Sequence, residues 1–431
     1  MTEEKSRLVI KSGRVFDSIN GKLLENTTVV SVGNKIVWLG DDSSFEKEEN
    51  DHIIDASGKV VLPGMIEAHV HLIGTGNPQA EREYLRTKRD MYHFFALNHA
   101  QKHLASGFTC VRDCGAYKGV TSSLRRILDN LTFAGPRLVI SETSLGQWGN
   151  QESIGPQPLL DAARKESVVT AGVDNVVYAV RDLKRLGADF VKTLTTGGVL
   201  HGMESKVEFS LWTEDELKAM VTEAHRLGLH LASHAHGTAG IIAAVEAGID
   251  TIEHASYMTE EVADLMVKNG TYIVPTQTAA MSLVSPELLK LMPPEIQKKT
   301  IEVDKIMKES HRLAFKKGVK IVIGTDAGTP GNYHGNTANE VRLMVEDVGM
   351  TTVQALQAAT IEGAKAIWLE DKIGTIEKGK LADMVICEKN PLEDIKVLSN
   401  VTSLSHVIKD GIVMAEQGRI TYFSPLQKLA K

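Results

Sequence analysis

From residue 60 onward, short apolar stretches alternate with longer amphipathic stretches. This alternation is typical of β/α units that share a parallel sheet. Eight apolar stretches can be counted, and they end near His69, Asp113, Ser141, Lys192, His234, His254, Thr276 and Asp326. Eight parallel strands with helices between them predict an α/β fold of the (β/α)8 TIM-barrel type.

Both ends of the chain have a different pattern, which is rich in β signals. Residues 27–32 and 35–40 flank Gly33-Asn34, a combination that indicates a hairpin. Strand-like stretches return after the barrel, at residues 382–387 and 406–413. We therefore predict that residues 1–60 and 366–431 pair into one small β-sandwich, and that residues 61–365 form the barrel.

The composition is that of an ordinary globular protein, with 431 residues of which 42% are hydrophobic and 24% are charged. The net charge of -7 is mild and the basic residues are dispersed, so we expect no nucleic-acid partner. No apolar run approaches the roughly 18 residues of a membrane span, and the charged N-terminus does not resemble a signal peptide. The three cysteines form no disulfide pattern, so we expect a cytoplasmic protein.

The first barrel strand ends in two histidines that are separated by one residue, His69 and His71. Alternate side chains of a strand point the same way, so both rings can reach one ion. Imidazole suits zinc and neighbouring metals. The pair alone is a weak indication of a metal site, and its value depends on further ligands at later strand ends.

Such residues do follow. Barrel enzymes carry their chemistry at the carboxyl ends of the strands, and these ends hold Lys192, His234, His254 and Asp326. A lysine has no lone pair for a metal while it is protonated, so at such a place it is a paired cation, a Schiff-base amine or a carbamate formed with carbon dioxide. The histidine-rich surroundings favour the carbamate, an anionic ligand that can bridge two metal ions.

These motifs resemble the amidohydrolase superfamily, in its binuclear subtype with a carboxylated lysine. The matching pieces are residues 63–71, 191–192, 234, 252–254, 324–328 and the strand-turn-strand at 374–385. The resemblance implies that His69, His71 and Asp326 bind the buried metal ion. It implies that His234 and His254 bind the more exposed one, with two zinc ions as the default pair.

The same resemblance implies a mechanism of amide hydrolysis. Lys192, as the carbamate, and a hydroxide would bridge the two ions, and that hydroxide would attack the scissile carbonyl. Asp326 would take the proton of the hydroxide and pass it to the leaving amine. Related enzymes are often homo-oligomers, so we expect several copies to assemble.

Within the superfamily, residues 197–199 and 234–237 resemble a group of prolidase-like metallo-dipeptidases and carboxypeptidases. Proline-releasing members carry a tyrosine two residues after the fifth-strand histidine, where this chain has His236. This difference favours release of a C-terminal arginine or lysine over proline. A substrate-contacting histidine of the group is replaced here by Asn150, so hydrolysis of an ochratoxin-, phenylurea- or imidazolonepropionate-like amide stays open.

Several further residues are candidates for contact with a dipeptide or small-molecule substrate. His236 lies two residues beyond His234 and can donate to the carbonyl oxygen. Tyr257 and His334 lie in loops after the sixth and eighth strands. Glu204 and Glu208 can meet a basic side chain, although charges in rim loops are mostly solvated.

Two other functions are possible for a barrel of this kind. A mononuclear deaminase of the same superfamily usually has a glutamate three residues after the fifth-strand histidine and no bridging lysine. Here that position is Gly237, and Lys192 is present. An inactive scaffold usually loses ligands, whereas this chain keeps all six. Metal-dependent hydrolysis is therefore the favoured function.

Overall fold

A computed structural model describes residues 7–147, 168–198 and 207–424. The strands are β1 (Arg7–Asp17), β2 (Lys22–Val32), β3 (Lys35–Asp41), β4 (Asp51–Asp55), β5 (Val60–Pro63), β6 (Met65–Val70), β7 (Phe108–Asp113), β8 (Arg137–Ile140), β9 (Leu145–Gln147), β10 (Val168–Thr170), β11 (Phe190–Leu194), β12 (His230–Ala235), β13 (Thr251–His254), β14 (Tyr272–Val274), β15 (Met384–Cys387), β16 (Leu404–Lys409), β17 (Ile412–Glu416) and β18 (Arg419–Ile420).

The described helices lie mainly between the strands of the middle segment. They are α1 (Ala80–Arg86), α2 (Met91–Ala105), α3 (Val120–Asp129), α4 (Val173–Leu186), α5 (Glu214–Arg226), α6 (Thr238–Ala247), α7 (Glu260–Asn269), α8 (Gln277–Leu283), α9 (Pro286–Leu289), α10 (Pro294–Lys317), α11 (Ala338–Leu343), α12 (Thr352–Ala358) and α13 (Ile361–Ala366). No helix among the described residues is long and apolar enough to cross a membrane.

Both chain ends contribute to one nine-stranded sheet. Its order is β18-β17-β16-β15-β5-β1-β2-β3, with β4 also paired to β1. The two ends meet where β5 runs antiparallel to β15, with Leu62 opposite Val385. Ile10, Val61 and Ile408 pack in one buried cluster, so strands from both ends share a core. The predicted pairing of the chain ends into one β unit is confirmed, and the domain boundaries stay a prediction.

The middle segment forms a ring of parallel strands. Strands β6, β7 and β8 make one sheet, and β11 to β14 pair in chain order in another. The N–H of Asp189 donates to the carbonyl of Ile140 over 2.8 Å and links the two sheets on one side. The predicted α/β fold is confirmed, and the order of the parallel strands is that of the predicted barrel.

The eighth predicted strand closes the ring on the other side, although its pairing is irregular. It has only isolated bridges, between Ile321 and Ile273 and between Ala327 and Val70. The N–H of Val322 donates to Ile273 over 3.0 Å, and the N–H of Ala68 donates to Ile323 over 2.8 Å. The stretch is therefore bonded to β14 and to β6, as the last strand of a barrel must be.

The helix α5 begins at a capping box. The Thr213 hydroxyl accepts from the N–H of Glu216, and the Glu216 carboxylate accepts from the N–H of Thr213, which is a capping box. Beyond this cap, Leu217, Met220 and Ala224 recur at helical spacing and are buried. The capping box thus sets the start of the helix, and its apolar face holds it against the barrel.

Arg112 ties three strands together inside the barrel, and its side chain is fully buried. Its Nε donates to the carbonyl of Ala68 in β6 over 2.6 Å, and its guanidinium reaches Thr251 at 3.2 Å and Glu253 at 2.9 Å in β13. Burial would raise the pKa of Glu253, but the charge of Arg112 and the hydrogen bond with His69 hold it below its usual range. Each of these two buried charges is thus compensated by the other.

We therefore expect Arg112→Met to destabilise the protein strongly. The change would leave the carboxylate of Glu253 buried without its cation, which typically costs about 3–5 kcal/mol. Arg226→Met is the matched control, because Arg226 pairs with Glu223 while its side chain is 57% exposed, and such pairs contribute at most about 1 kcal/mol. Free energies of unfolding from urea denaturation give the comparison. Equal, small losses in the two variants would contradict the structural role of Arg112.

A second prediction concerns His225, on the surface at the amino ends of the strands. Its Nε2 lies 2.9 Å from Asp250 Oδ2. This hydrogen bond raises the pKa of His225, and partial burial opposes the rise only in part. The stabilisation is therefore complete below the unfolded pKa of about 6.5 and is lost as the pH rises through the higher folded value.

We expect wild type and His225→Gln to differ most in melting temperature near pH 6 and least near pH 8.5. The difference in stability at pH 6 should stay within about 1 kcal/mol, because the pair is solvent-accessible. His93→Gln, at an exposed histidine of α2, serves as the control. A gap between wild type and His225→Gln that grows with pH would show that the assigned sign is wrong.

Candidate metal centre

Two histidines and an aspartate meet where β6 approaches the stretch that closes the barrel. Single ligand atoms of His69, His71 and Asp326 all lie within 4.8 Å of one another. Asp326 Oδ1 lies 3.4 Å from His69 Nε2 and 3.3 Å from His71 Nε2. His69 lies in β6, and His71 directly follows that strand. Alternate side chains of a strand point the same way, so both rings lie on one side. The grouping is one that could hold a divalent cation.

A second group consists of three histidines at the ends of β12 and β13. Ligand atoms of His234, His236 and His254 also lie within 4.8 Å of one another. The ring of His234 lies 4.7 Å from that of His236 and 4.4 Å from that of His254, centroid to centroid. The rings of His69 and His254 lie 5.4 Å apart, so the two groups adjoin.

Lys192, in β11, lies beside these groups and is 4% exposed. Its Nζ lies 3.4 Å from His69 Nε2. Its charge also lowers the pKa of His254, in the second group, and that of Asp326, in the first. The structure thus brings together all six residues that the sequence suggested as ligands, and it places His236 with them.

The histidines are oriented by hydrogen bonds at their Nδ1 atoms. His69 Nδ1 lies 2.6 Å from Glu253 Oε2, and His71 Nδ1 lies 3.1 Å from the carbonyl of Gly115. His254 Nδ1 lies 2.7 Å from Thr276 Oγ1. Metal-binding histidines almost always donate their second ring N–H to such acceptors. The Nε2 atoms are then the ones available to a metal ion, so the orientation of the rings fits a metal centre.

The protonation of His69 and His254 fits the same interpretation. Burial, with the charge of Lys192, lowers the pKa of His69 to about 4. Burial and the neighbouring histidines lower the pKa of His254 well below its ordinary value. Neutral imidazoles keep a lone pair for a metal ion. Nitrogen donors with one carboxylate are a donor set that suits zinc and related divalent ions.

Sequence reasoning did not assign the residues that support the ligands, and Glu253 is the clearest example. It lies in the buried strand β13, directly before His254, and contacts His69 from across the barrel. The available signal was a charged residue within a short apolar strand, because a buried charge requires a partner. Cys114 also lies near His69 and Glu253, but burial raises its thiol pKa to about 12.

Three of the residues around the site have left-handed backbone conformations that favour glycine. The φ angles are 73° at His254, 51° at Thr276 and 59° at Asp326. Such conformations are uncommon for residues with a Cβ and persist where the surrounding structure enforces them, often at functional sites. Here they turn the chain at the strand ends, and strand periodicity in the sequence does not reveal them.

The predicted substrate-contacting residues have mixed placements. Tyr257 is half-buried, and its N–H donates to the carbonyl of His236 over 2.9 Å. His334 is buried, with Nε2 at 2.8 Å from the carbonyl of Gly74 and Nδ1 at 2.9 Å from His103 Nε2. Both ring nitrogens of His334 thus contact protein groups, so its predicted role has no support from these contacts. Asn150 and Glu204 lie outside the described residues.

Gly237 occupies the position where the deaminases of the superfamily usually carry a glutamate. A Cβ there would lie 1.8 Å from the carbonyl oxygen of Val207. No side chain fits such a contact without movement of the backbone. The close approach also places residues 207 and 208 beside Gly237, which directly follows His236.

Comparison with known proteins agrees with this arrangement. The model of the amidohydrolase family matches residues 60–414. Ochratoxinase of Aspergillus niger is 28% identical over an alignment that covers 95% of this chain and 87% of that protein. A solved Xaa-Pro dipeptidase with methionine bound in its active site is 34% identical, with a TM-score of 0.84 over 94% of this chain and 99% of that one.

A prolidase complexed with N-methylphosphonate-L-proline is also similar. It is 30% identical, with a TM-score of 0.86, and the match covers 95% of this chain and 100% of that one. The family match spans the barrel and all six clustered residues. It confirms the resemblance that the motifs indicated, and members of the family generally bind metal ions. The chain therefore belongs to the amidohydrolase family and is a metal-dependent amidohydrolase.

Proposed function

We propose that this protein hydrolyses the amide bond of a dipeptide or N-acyl amino acid and releases the C-terminal amino acid. The observation that carries the proposal is the junction of two ligand groups at His69 and His254, with Lys192 beside them. Two adjoining groups suit a pair of metal ions. The similarity to a Xaa-Pro dipeptidase and a prolidase supports a peptide-like amide.

In this proposal, His69, His71 and Asp326 hold one metal ion, and His234 and His254 hold the other. Lys192, carboxylated by carbon dioxide, would add an anionic ligand, and zinc is the metal that the donor set suits. A bound metal pair lowers the pKa of a water molecule and polarises the scissile carbonyl. The protein itself contributes the ligands, the orientation of the substrate and the transfer of protons.

Asp326 is placed to move the proton. Its Oδ1 lies between the Nε2 atoms of His69 and His71, at 3.4 and 3.3 Å, so the carboxylate is directed into the ligand group. It accepts the proton of the attacking water and returns it to the leaving amine, acting first as a base and then as an acid. The amine needs this proton because an amide anion is a very poor leaving group.

In this proposal His236 holds the carbonyl oxygen. Its ring is buried, and Nδ1 lies 2.7 Å from Ser256 Oγ. Its main-chain N–H donates to Thr196 Oγ1 over 3.0 Å, which fixes the start of the turn. In this proposal the ring of His236 donates to the carbonyl oxygen of the substrate, and such donors stabilise the charge that develops on the oxygen.

Charges at the mouth of the barrel bear on the released amino acid. Lys299, in α10, is half-buried, and its Nζ lies 3.4 Å from the carbonyl of Gly198. Burial lowers the pKa of Lys299, and the charge of Glu208 opposes this effect. A neighbouring lysine and glutamate complement the carboxylate and the cationic side chain of a C-terminal arginine or lysine. This complementarity, with His236 in place of tyrosine, supports a basic residue over proline.

A second candidate is hydrolysis of a non-peptide amide. It is favoured by the similarity to ochratoxinase over 95% of this chain. In that case Lys299 would bind an acidic group of the substrate, and Glu208 would take no part in binding. The metal centre and the roles of Asp326 and His236 would be unchanged.

The proposal predicts a defined pattern of amino acid release. Zinc-loaded protein with bicarbonate would be tested on Xaa-Arg, Xaa-Lys, Xaa-Pro and N-acyl amino acid substrates, with the free amino acid measured. We expect arginine or lysine to be released. Lys192→Ala should lose this activity, and Asp326→Asn should lower it by about 10²–10⁴-fold, the usual contribution of acid–base catalysis.

Lys184→Ala, at an exposed lysine of α4, is the matched control and should keep full activity. Release of proline alone would contradict the inference from His236. Absence of release from every substrate, with two metal ions bound, would contradict the substrate class and favour the non-peptide amide.

A further inference from the structure

His254 is held from two directions by groups of neighbouring elements. Its ring Nδ1 lies 2.7 Å from Thr276 Oγ1, which follows β14. Its main-chain carbonyl lies 2.6 Å from Nε2 of His311, in α10. Both His254 and Thr276 have left-handed backbones, with φ of 73° and 51°. The position of this ring is therefore imposed by its surroundings and is not the default of a strand end.

The direction of these hydrogen bonds follows from the chemistry of the groups. A carbonyl oxygen only accepts, so Nε2 of His311 carries the proton and donates to His254. In the neutral ring Nδ1 of His311 is then the acceptor. The side-chain amide of Gln277 donates to this atom over 2.9 Å. The amide, the imidazole and the carbonyl form a chain with one defined polarity.

Glu340 holds the segment from which both contacts arise. Its Oε1 accepts from the N–H of Gln277 over 2.8 Å. Its Oε2 accepts from the N–H and the hydroxyl of Thr278, over 2.7 and 2.5 Å. Glu340 and Gln277 are both completely buried. One carboxylate thus fixes the segment that follows Thr276. Thr276 contacts the ring of His254, and the side-chain amide of Gln277 contacts His311.

We propose that Glu340, Gln277, His311 and Thr276 act together as positioning residues for His254. They hold Nε2 of His254 toward His234 and thereby set the affinity of this half of the centre for its metal ion. The inference rests on the proposed function in one respect, namely that His254 is a metal ligand. Of these residues, Gln277, His311 and Glu340 lie on α8, α10 and α11, away from the strand-end motifs, and Thr276 directly precedes α8.

The two halves of the centre differ in the groups that orient their histidines. His69 contacts the carboxylate of Glu253 directly, at 2.6 Å. His254 contacts a hydroxyl, and the carboxylate of Glu340 acts on it only through the segment 276–278. Damage to the second arrangement should therefore weaken one metal ion and leave the other bound as before.

The test measures metal affinity of the metal-stripped full-length protein by zinc titration against a chromophoric chelator. Thr276→Val keeps the shape of the side chain and removes the hydroxyl. We expect one of two zinc ions to bind about 10–100-fold more weakly, the usual effect of losing such a partner, and the other to bind as in wild type. Thr276→Ser restores the hydroxyl and should restore the affinity.

Glu340→Gln tests the distant end of the arrangement, with the same expected weakening of one zinc ion. Glu216→Gln is the matched control, because Glu216 also accepts two main-chain N–H groups and a threonine hydroxyl, from Gly172 and Thr213. It should lower the melting temperature to a similar extent without a change in either affinity.

The outcomes separate the inference from the proposed function. Variants that melt earlier while binding both zinc ions as tightly as wild type would overturn the positioning role. Equal weakening of both ions in Glu340→Gln and Thr276→Val would also overturn it, because the effect would then be general. Wild-type protein that binds no zinc would overturn the proposed metal centre, and the inference with it.

Discussion

The closure of the barrel determines the geometry of the metal centre. His69 and Asp326 are far apart in sequence, yet the N–H of Asp326 donates to the carbonyl of His69 over 2.7 Å, and the N–H of His71 donates to Ala327 over 2.9 Å. The buried carboxylate of Glu67 joins the same two strands, since it accepts from the N–H groups of His69 and Thr325. Because these bonds fix the register of the strands, the aspartate is placed directly opposite both histidines.

The two halves of the centre have different electrostatic character. The first contains Asp326 and has Glu253 behind His69, whereas the second, among the described residues, groups three histidines without a carboxylate. Burial disfavours a second divalent cation among neutral ligands alone. An anionic ligand between the halves would remove this imbalance. The imbalance thus supports the proposed carbamate on Lys192, which lies 3.4 Å from His69.

The fold and the candidate ligands could be predicted from the sequence because both depend on local patterns. Alternation of apolar and amphipathic stretches indicates the strands, and the position of His69, His234 or Asp326 at a strand end indicates the site. The loop position of His334 was less informative. That loop folds back on Gly74 and His103, and a short sequence pattern does not show which distant residues a loop will contact.

The supporting residues could not be predicted, for a physical reason. A ligand must be one of a few residue types, since only lone pairs of suitable basicity bind a metal ion. A supporting group has only to accept or donate one hydrogen bond, and in this protein a carboxylate, a hydroxyl and a main-chain carbonyl all do so, at Glu253, Thr276 and Gly115. What selects them is proximity in the folded barrel. The ligands are thus recognisable from the sequence, whereas the groups that orient them become recognisable only when the packing of strands and helices is known.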